Sequence, residues 1–118
     1  MDQEDINKIE KIIADRKTAH RYYSTNSPVY NAFLTMEEAA FKPGQLEKKY
    51  KEMIAIGISI RINCESCLEW HIKQALDFGA SREEIMEAIE VGIEMGGGPA
   101  TVSSRFAMKV LEFYLDRK

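Results

Sequence analysis

Apolar residues recur every three or four positions over most of the chain, with charged residues between them, which is typical of amphipathic helices. The first such segment covers residues 5–23. The second begins at Ser27, an N-cap followed by proline at the first helical position, and extends to about Phe41. Pro43 and Gly44 then break the pattern, so two separate helices are predicted here.

Two further amphipathic helices are predicted in the last third of the chain. Ser81 and Glu84 form a capping box that opens the first of them, and Gly79 is the predicted C-cap of the helix before it. The glycine-rich residues 96–99 end this helix and start the last one. Apolar residues in the last helix continue at steps of three or four up to about Phe113.

The segment of residues 53–62 has a different pattern, because isoleucine occupies every second position. Such alternation indicates a strand, and a strand leading into a Cys-x-x-Cys pair would suggest a thioredoxin-like fold. A sheet needs several strands, and the chain offers no second candidate of comparable quality. A helix that is apolar on more than one side, buried within the domain or between subunits, is therefore predicted.

With the helix that follows this segment, the chain is predicted to be all-α, with six helices in one compact domain over residues 1–118. Its 118 residues include 16 Lys and Arg against 19 Asp and Glu, for a net charge of −3, which argues against a nucleic-acid or anionic membrane partner. No basic segment followed by an apolar run is visible at the start, and no apolar stretch is long enough to span a bilayer. A cytoplasmic location is expected.

The two cysteines of the chain are only three positions apart, too close for a disulfide between them to restrain the unfolded chain much. In a reducing compartment such a pair is more often redox-active or metal-binding than structural. Asn63 is the predicted N-cap of a helix that extends to Phe78. On that helix Cys64, Cys67 and His71 are related by steps of three and four, so they share one side.

These positions suggest thiol chemistry. A helix N-terminus and a nearby imidazole both favour the thiolate, and His71 is placed to accept the proton of Cys67. Glu52, from the preceding helix, is expected to orient the imidazole as the third member of a triad does. A thiolate that attacks a peroxide becomes a sulfenic acid, which the second thiol, Cys64, can convert to a disulfide.

The pattern Glu52-x11-Cys64-x2-Cys67-x3-His71 resembles the signature of the alkylhydroperoxidase D-like branch of the carboxymuconolactone decarboxylase family. The glycine-rich residues 96–100 agree with the same family. The resemblance covers roughly the stretch from the second predicted helix to the last.

The similarity extends over roughly residues 30–110. It implies an all-helical protomer that forms symmetric homo-oligomers, commonly trimers or hexamers. It also implies a cysteine-based peroxidase or disulfide reductase activity. By that analogy Cys67 attacks the hydroperoxide, and Cys64 completes the disulfide and meets the reductant. His71 and Glu52 would form the proton relay.

The resemblance further implies that no cofactor is bound and that the reductant is an external dithiol of the dihydrolipoamide type, which a partner protein can carry. Some members have a second histidine just before the second cysteine, where this chain has Ser66, so its relay has one imidazole. Lactone decarboxylases of the family generally lack the cysteine pair, which argues against that reaction here.

Other interpretations of the same residues remain open. Cys64, Cys67, His71 and Glu52 could serve as zinc ligands in a binding or assembly module without catalysis, or the scaffold could belong to a lactone decarboxylase-type lyase. The cysteines could also be two small buried side chains on one helix face. His20 has no partner of this kind in the sequence and is expected at the surface.

Overall fold

The computed structural model describes residues 1–117 and contains six α-helices. They are α1 (Gln3–Asn26), α2 (Pro28–Phe41), α3 (Lys48–Ile62), α4 (Glu65–Asp77), α5 (Arg82–Gly96) and α6 (Gly98–Leu115). No strand occurs in residues 1–117, so the predicted all-α, six-helix fold is confirmed. None of the helices in this range is both long and apolar enough to cross a membrane.

The starts of α2 and α5 and the turn before α6 follow the local signals that the sequence predicts. The side chain of Ser27 accepts a hydrogen bond from the backbone of Tyr30, with proline in the first turn of α2. Ser81 and Glu84 form the reciprocal capping box at the start of α5. Between α5 and α6, Gly97 has a φ of 72°, a left-handed value that glycine adopts without steric cost.

The alternating isoleucines of α3 form two stripes. Residues four apart lie on the same side of a helix, so every second position yields one stripe that faces the core and another that faces away. Ile56 and Ile60 are buried, whereas Ile54, Ile58 and Ile62 are 52%, 56% and 61% exposed. The helical prediction for residues 53–62 is thus confirmed, and three of its five isoleucines are exposed in the single chain.

The core lies among α3, α4, α5 and α6, with Ile9 of α1 added from one side. Helices α3 and α5 pack closely because Gly57 faces Gly92. A Cβ atom on Gly92 would lie 2.7 Å from the carbonyl oxygen of Gly57 and 2.8 Å from the Cβ of Ile60. Helix α2 differs from the others because it has no buried residue.

A buried polar cluster connects α1, α4 and α6. The Glu69 carboxylate is fully buried, forms an ion pair with Arg16, and accepts a hydrogen bond from the Tyr114 hydroxyl. Burial, together with the hydrogen bond to this carboxylate, raises the pKa of Tyr114. The cluster fixes one side of α4, and the cysteine pair and His71 lie on the same helix.

Candidate functional site

The turn between α3 and α4 determines where the cysteines lie. Asn63 ends α3 in the left-handed region, with φ 56° and ψ 52°, a conformation that asparagine tolerates better than most residues. The N-cap of α4 is therefore Cys64, and the prediction that Asn63 caps this helix is wrong. The physical reason is that asparagine is favourable both at a left-handed helix end and at an N-cap, and here it occupies the former.

Cys64 and Cys67 form a disulfide at the start of α4, with their Cα atoms 5.2 Å apart. The Sγ atom of Cys64 also accepts a hydrogen bond from the backbone nitrogen of Cys67, at 3.2 Å. Both side chains are only partly buried. The pair is thus covalently linked at a helix N-terminus and is not fully buried.

His71 lies one turn after Cys67, and its imidazole binds Glu52 of α3. The His71 Nδ1 and Glu52 Oε1 atoms are 2.7 Å apart, and Glu52 is only 1% exposed. An ionised carboxylate can only accept, so Nδ1–H is the donor. In the neutral imidazole this leaves Nε2 as the basic nitrogen, the state that a proton acceptor requires.

Sequence reasoning missed two further residues of the site. Lys48 donates from Nζ to the second oxygen of Glu52, Oε2, at 3.0 Å. The Phe41 ring stacks on the imidazole of His71, with ring centroids 5.3 Å apart and planes inclined by 18°. The i, i+4 spacing of Lys48 and Glu52 on α3 is a signal that could have revealed the first contact. Nothing in the spacing of Phe41 indicates the second.

A cavity of about 580 Å³ lies beside Glu52 and Lys48, between α2, α3 and α4. Its lining includes apolar and aromatic side chains, among them Trp70, together with charged side chains of both signs. The charged residues of its wall are Glu37, Glu38, Lys42, Lys48 and Glu52. The site therefore has a mixed polar and aromatic pocket next to the carboxylate that holds His71.

The structure brings Glu52 into contact with His71, and it joins Cys64 to Cys67. His20 lies elsewhere: it is exposed, and its Nδ1 atom is 2.9 Å from the Tyr30 hydroxyl. Within residues 1–117, no three His, Cys, Asp or Glu side chains converge in a group that could hold a metal ion.

The profile of the carboxymuconolactone decarboxylase family matches residues 27–110, which span α2 to most of α6 and contain the whole site. The chain belongs to this family. The resemblance carried by the motif around the cysteines is thereby confirmed, and the alkylhydroperoxidase D-like branch is consistent with it.

Relatives of this family member include two uncharacterised bacterial proteins. One, from Cupriavidus necator, is 36% identical over 84 residues, covering 71% of this chain and 72% of the relative. The other, protein 4 of the cox locus of Paracoccus denitrificans, is 39% identical over 82 residues, covering 70% of this chain and 74% of the relative.

Two crystal structures of family members have the same fold. The Legionella pneumophila protein superimposes with a TM-score of 0.86 at 29% identity, over 92% of this chain and 97% of the other. A Thermotoga maritima protein, with a suggested part in the antioxidative response, superimposes with a TM-score of 0.83 at 27% identity. That match covers 90% of this chain and 91% of the other.

Proposed function

We propose that this family member is a thiol-based oxidoreductase that reduces hydroperoxides or disulfides through Cys64 and Cys67. The observation that carries the proposal is a disulfide at the start of α4, one turn before an imidazole whose Nδ1 binds a buried carboxylate. Such an arrangement has a redox couple, a proton acceptor and a group that orients the acceptor. The suggested antioxidative role of the Thermotoga maritima relative points in the same direction.

The proposed peroxidase cycle begins with the reduced dithiol. The thiolate of Cys67 attacks one oxygen of the hydroperoxide, the O–O bond breaks, and the products are a sulfenic acid on Cys67 and an alcohol. The thiol of Cys64 then attacks the sulfenic sulfur, which forms the disulfide and releases water. Two electrons have passed from the dithiol to the peroxide.

His71 and Glu52 provide the proton transfers in this proposal. The basic Nε2 of His71 takes the proton of the Cys67 thiol, and the resulting imidazolium can return a proton to the departing alkoxide. Glu52 holds Nδ1–H and stabilises the positive imidazolium with its negative charge. One imidazole therefore serves both steps, as expected for a chain with Ser66 in place of a second histidine.

An external dithiol closes the cycle by thiol–disulfide exchange with the pair. We propose a dithiol of the dihydrolipoamide type, free or carried on a partner protein, as the resemblance to the family implies. Reduction of a small disulfide substrate would use the same chemistry in the opposite direction. The cycle requires a reducing compartment, and we propose a cytoplasmic location on that ground.

Rapid mixing of the reduced protein with cumene hydroperoxide tests the proposal. We expect the thiols to disappear much faster than a free unperturbed thiol reacts, with one disulfide formed per peroxide consumed. Substitution of Cys67 by Ser should abolish the reaction, and substitution of Cys64 by Ser should leave a sulfenic acid that dimedone traps. A wild-type rate equal to that of a free thiol would refute the peroxidase activity.

The two histidines of the chain offer a matched pair of variants. His71→Gln should slow the reaction by about 10²-fold or more, the usual contribution of a general base. His20→Gln changes an exposed imidazole away from the cysteines and should retain the wild-type rate. Equal rates in both variants would remove His71 from its proposed role.

The alternative functions give different results in the same experiments. A zinc module would be purified with stoichiometric zinc and with both thiols protected from alkylation. A lyase would retain its activity on a lactone substrate after both cysteines are replaced.

We also propose that the protein is a homo-oligomer, commonly a trimer or hexamer in the family that it resembles. Ile54 and Ile58 of the exposed α3 stripe line one groove with Val91 and Met95 of α5, which are 62% and 67% exposed. Contiguous apolar surface of this kind is typical of subunit interfaces. Helix α2 also has no buried residue and leaves Phe33 and Met36 exposed.

A further inference from the structure

We infer that Lys48 is a positioning residue of the relay, which keeps Glu52 ionised and aimed at His71 and thereby sets the pH range in which Cys67 forms a thiolate. The inference rests on the proposed thiol chemistry, to which it adds a residue and a pH dependence. It starts from the Glu52 carboxylate, which has one partner on each oxygen: His71 on Oε1 and Lys48 on Oε2.

The first step concerns the charge of Glu52. A carboxylate that is 1% exposed has lost nearly all contact with water, and burial penalises its charged form unless a cation or donors compensate. A neutral imidazole supplies only one hydrogen bond. The Lys48 ammonium, 3.0 Å from Oε2, supplies the full positive charge that compensates the buried carboxylate.

The second step concerns the place of Lys48 itself. Its ammonium lies over two aromatic rings, 5.3 Å from the centroid of Phe41 and 4.9 Å from that of Phe78. Its side chain is only 21% exposed. Aromatic faces attract a cation, and a partly buried lysine loses less of its effect to solvent screening than a surface one. Phe41 also stacks on His71, so one ring contacts both ends of the Lys48–Glu52–His71 chain.

The third step concerns the other charged groups that face this pair. From α2 and the turn after it, Glu37, Glu38 and Lys42 line the same cavity. From α4, the only titratable group in contact with Glu52 among residues 1–117 is the imidazole of His71. Loss of the Lys48 charge would leave an acidic surrounding, in which forming a further anion on Cys67 becomes less favourable.

The next residue along α3 provides a matched control. The Lys49 ammonium pairs with Glu84 at 3.1 Å, and the side chain of Lys49 is as exposed as that of Lys48, at 21%. It is therefore a lysine of the same helix and similar burial, paired with a carboxylate outside the site. A change at Lys49 alters the net charge of the protein by the same amount without touching the relay.

The test is the pH dependence of iodoacetamide alkylation of reduced protein that carries Cys64→Ser, so that Cys67 is the only thiol. We expect Lys48→Met to move the midpoint of the profile upward by about half a pH unit or more, which slows alkylation at pH 7 by about threefold. Lys48→Arg keeps a positive charge at this position, so its midpoint should lie close to that of the protein with Lys48. Lys49→Met should leave the midpoint unchanged.

Equal midpoints for Lys48→Met and Lys49→Met would overturn the inference, and so would a Lys48→Arg profile that matches Lys48→Met. If Lys48→Met does not fold, Lys48→Gln in the same background gives the same comparison, with folding checked by circular dichroism. Alkylation requires no hydroperoxide. A failure of the proposed peroxidase reaction is therefore seen in the wild-type rate alone, and a failure of the Lys48 assignment is seen in the profile alone.

Discussion

Phe41 stacks on His71, with the two ring planes inclined by 18° and their centroids 5.3 Å apart. Phe41 is the last residue of α2, and its ring covers one face of the imidazole. Two independent elements therefore hold this histidine, since Glu52 of α3 holds the edge of the ring and α2 holds its face.

Phe41→Ala should slow the reaction of Cys67 with peroxide several-fold, because the imidazole gains freedom to rotate out of its productive orientation. The melting temperature should change little, since Phe41 is not part of the buried core. Val29→Ala shortens a side chain of the same helix that is 80% exposed, and it serves as the control. A wild-type rate in Phe41→Ala would show that the stack does not position His71.

Gly92→Ala should destabilise the fold by about 1–3 kcal/mol, the usual cost of adding a methyl group to a packed contact. The added Cβ would meet the backbone of Gly57 at 2.7 Å, and backbone cannot move aside as a flexible side chain can. Gly98→Ala is the control, because a Cβ there meets nothing within 4 Å. Urea unfolding of both variants gives the two free energies, and equal values would contradict the close α3–α5 approach.

Glu69→Gln should lower the free energy of unfolding by about 3 kcal/mol, because it breaks a buried ion pair. This value is at the low end of the usual range, since Arg16 retains some contact with water. The comparison is Asp15→Asn, which removes a surface pair with Lys11 whose side chains are 65% and 75% exposed. Asp15→Asn should lower the free energy of unfolding by less than about 0.5 kcal/mol. Chemical unfolding measures both, and a small loss in Glu69→Gln would mean that the buried cluster does not fix α4.

The capping box of α5 predicts an acid-sensitive contribution to stability. Hydrogen bonds from the Ser81 backbone and from Lys49 lower the pKa of Glu84 below its ordinary value of 4.5. A carboxyl whose pKa is lower in the folded state than in the unfolded state stabilises the fold at pH values above its unfolded-state pKa. This contribution disappears as the pH falls through the folded-state pKa. Glu84→Gln should thus be less stable than the wild type at pH 7, and the difference in the free energy of unfolding should shrink as the pH falls below 4.5 and through the lowered folded-state pKa.

Urea unfolding at pH 7 and at a series of pH values below 4.5 measures this difference. Glu83→Gln, at the exposed neighbouring position, controls for loss of an acidic charge in the first turn of α5. A difference that stays the same size as the pH falls would show that the effect comes from helix propensity and not from the ionised carboxyl.

The proposed homo-oligomer predicts a light-scattering mass that is a multiple of the 13.5 kDa protomer. Ile58→Glu places a charge in the middle of the exposed isoleucine stripe and should lower that mass, because burying an unpaired charge is costly. Asn7→Glu places the same charge on an exposed polar position of α1 and should not. A monomeric wild type would rule out this assembly.

The helices follow from local signals, so most of the fold is predictable from the sequence. Ser27, Ser81 and the glycine-rich turn after α5 act through contacts within a few residues, and such contacts leave a direct trace in the sequence. Alternation of isoleucine is ambiguous by itself. The sequence identifies a helix at residues 53–62 only because it offers no second strand candidate of comparable quality.

The site is less predictable, because its contacts are long-range or ambiguous. The pairing of Glu52 with His71 spans 19 residues and is anticipated only through the triad analogy and the family motif. Asn63 fits two roles, and the left-handed turn decides between them. The Phe41 stack depends on how α2 returns to the site after the turn that follows it, which no spacing in the sequence encodes.

Trp70, the only tryptophan of the chain, lies next to His71 in sequence and lines the cavity beside Glu52. Its ring also lies 4.9 Å from the guanidinium carbon of Arg16, which belongs to the cluster around Glu69. All indole emission of this protein therefore comes from one ring between the relay and the buried ion pair. Changes at the relay or at the buried ion pair can therefore be followed by the fluorescence of Trp70 in the unlabelled protein.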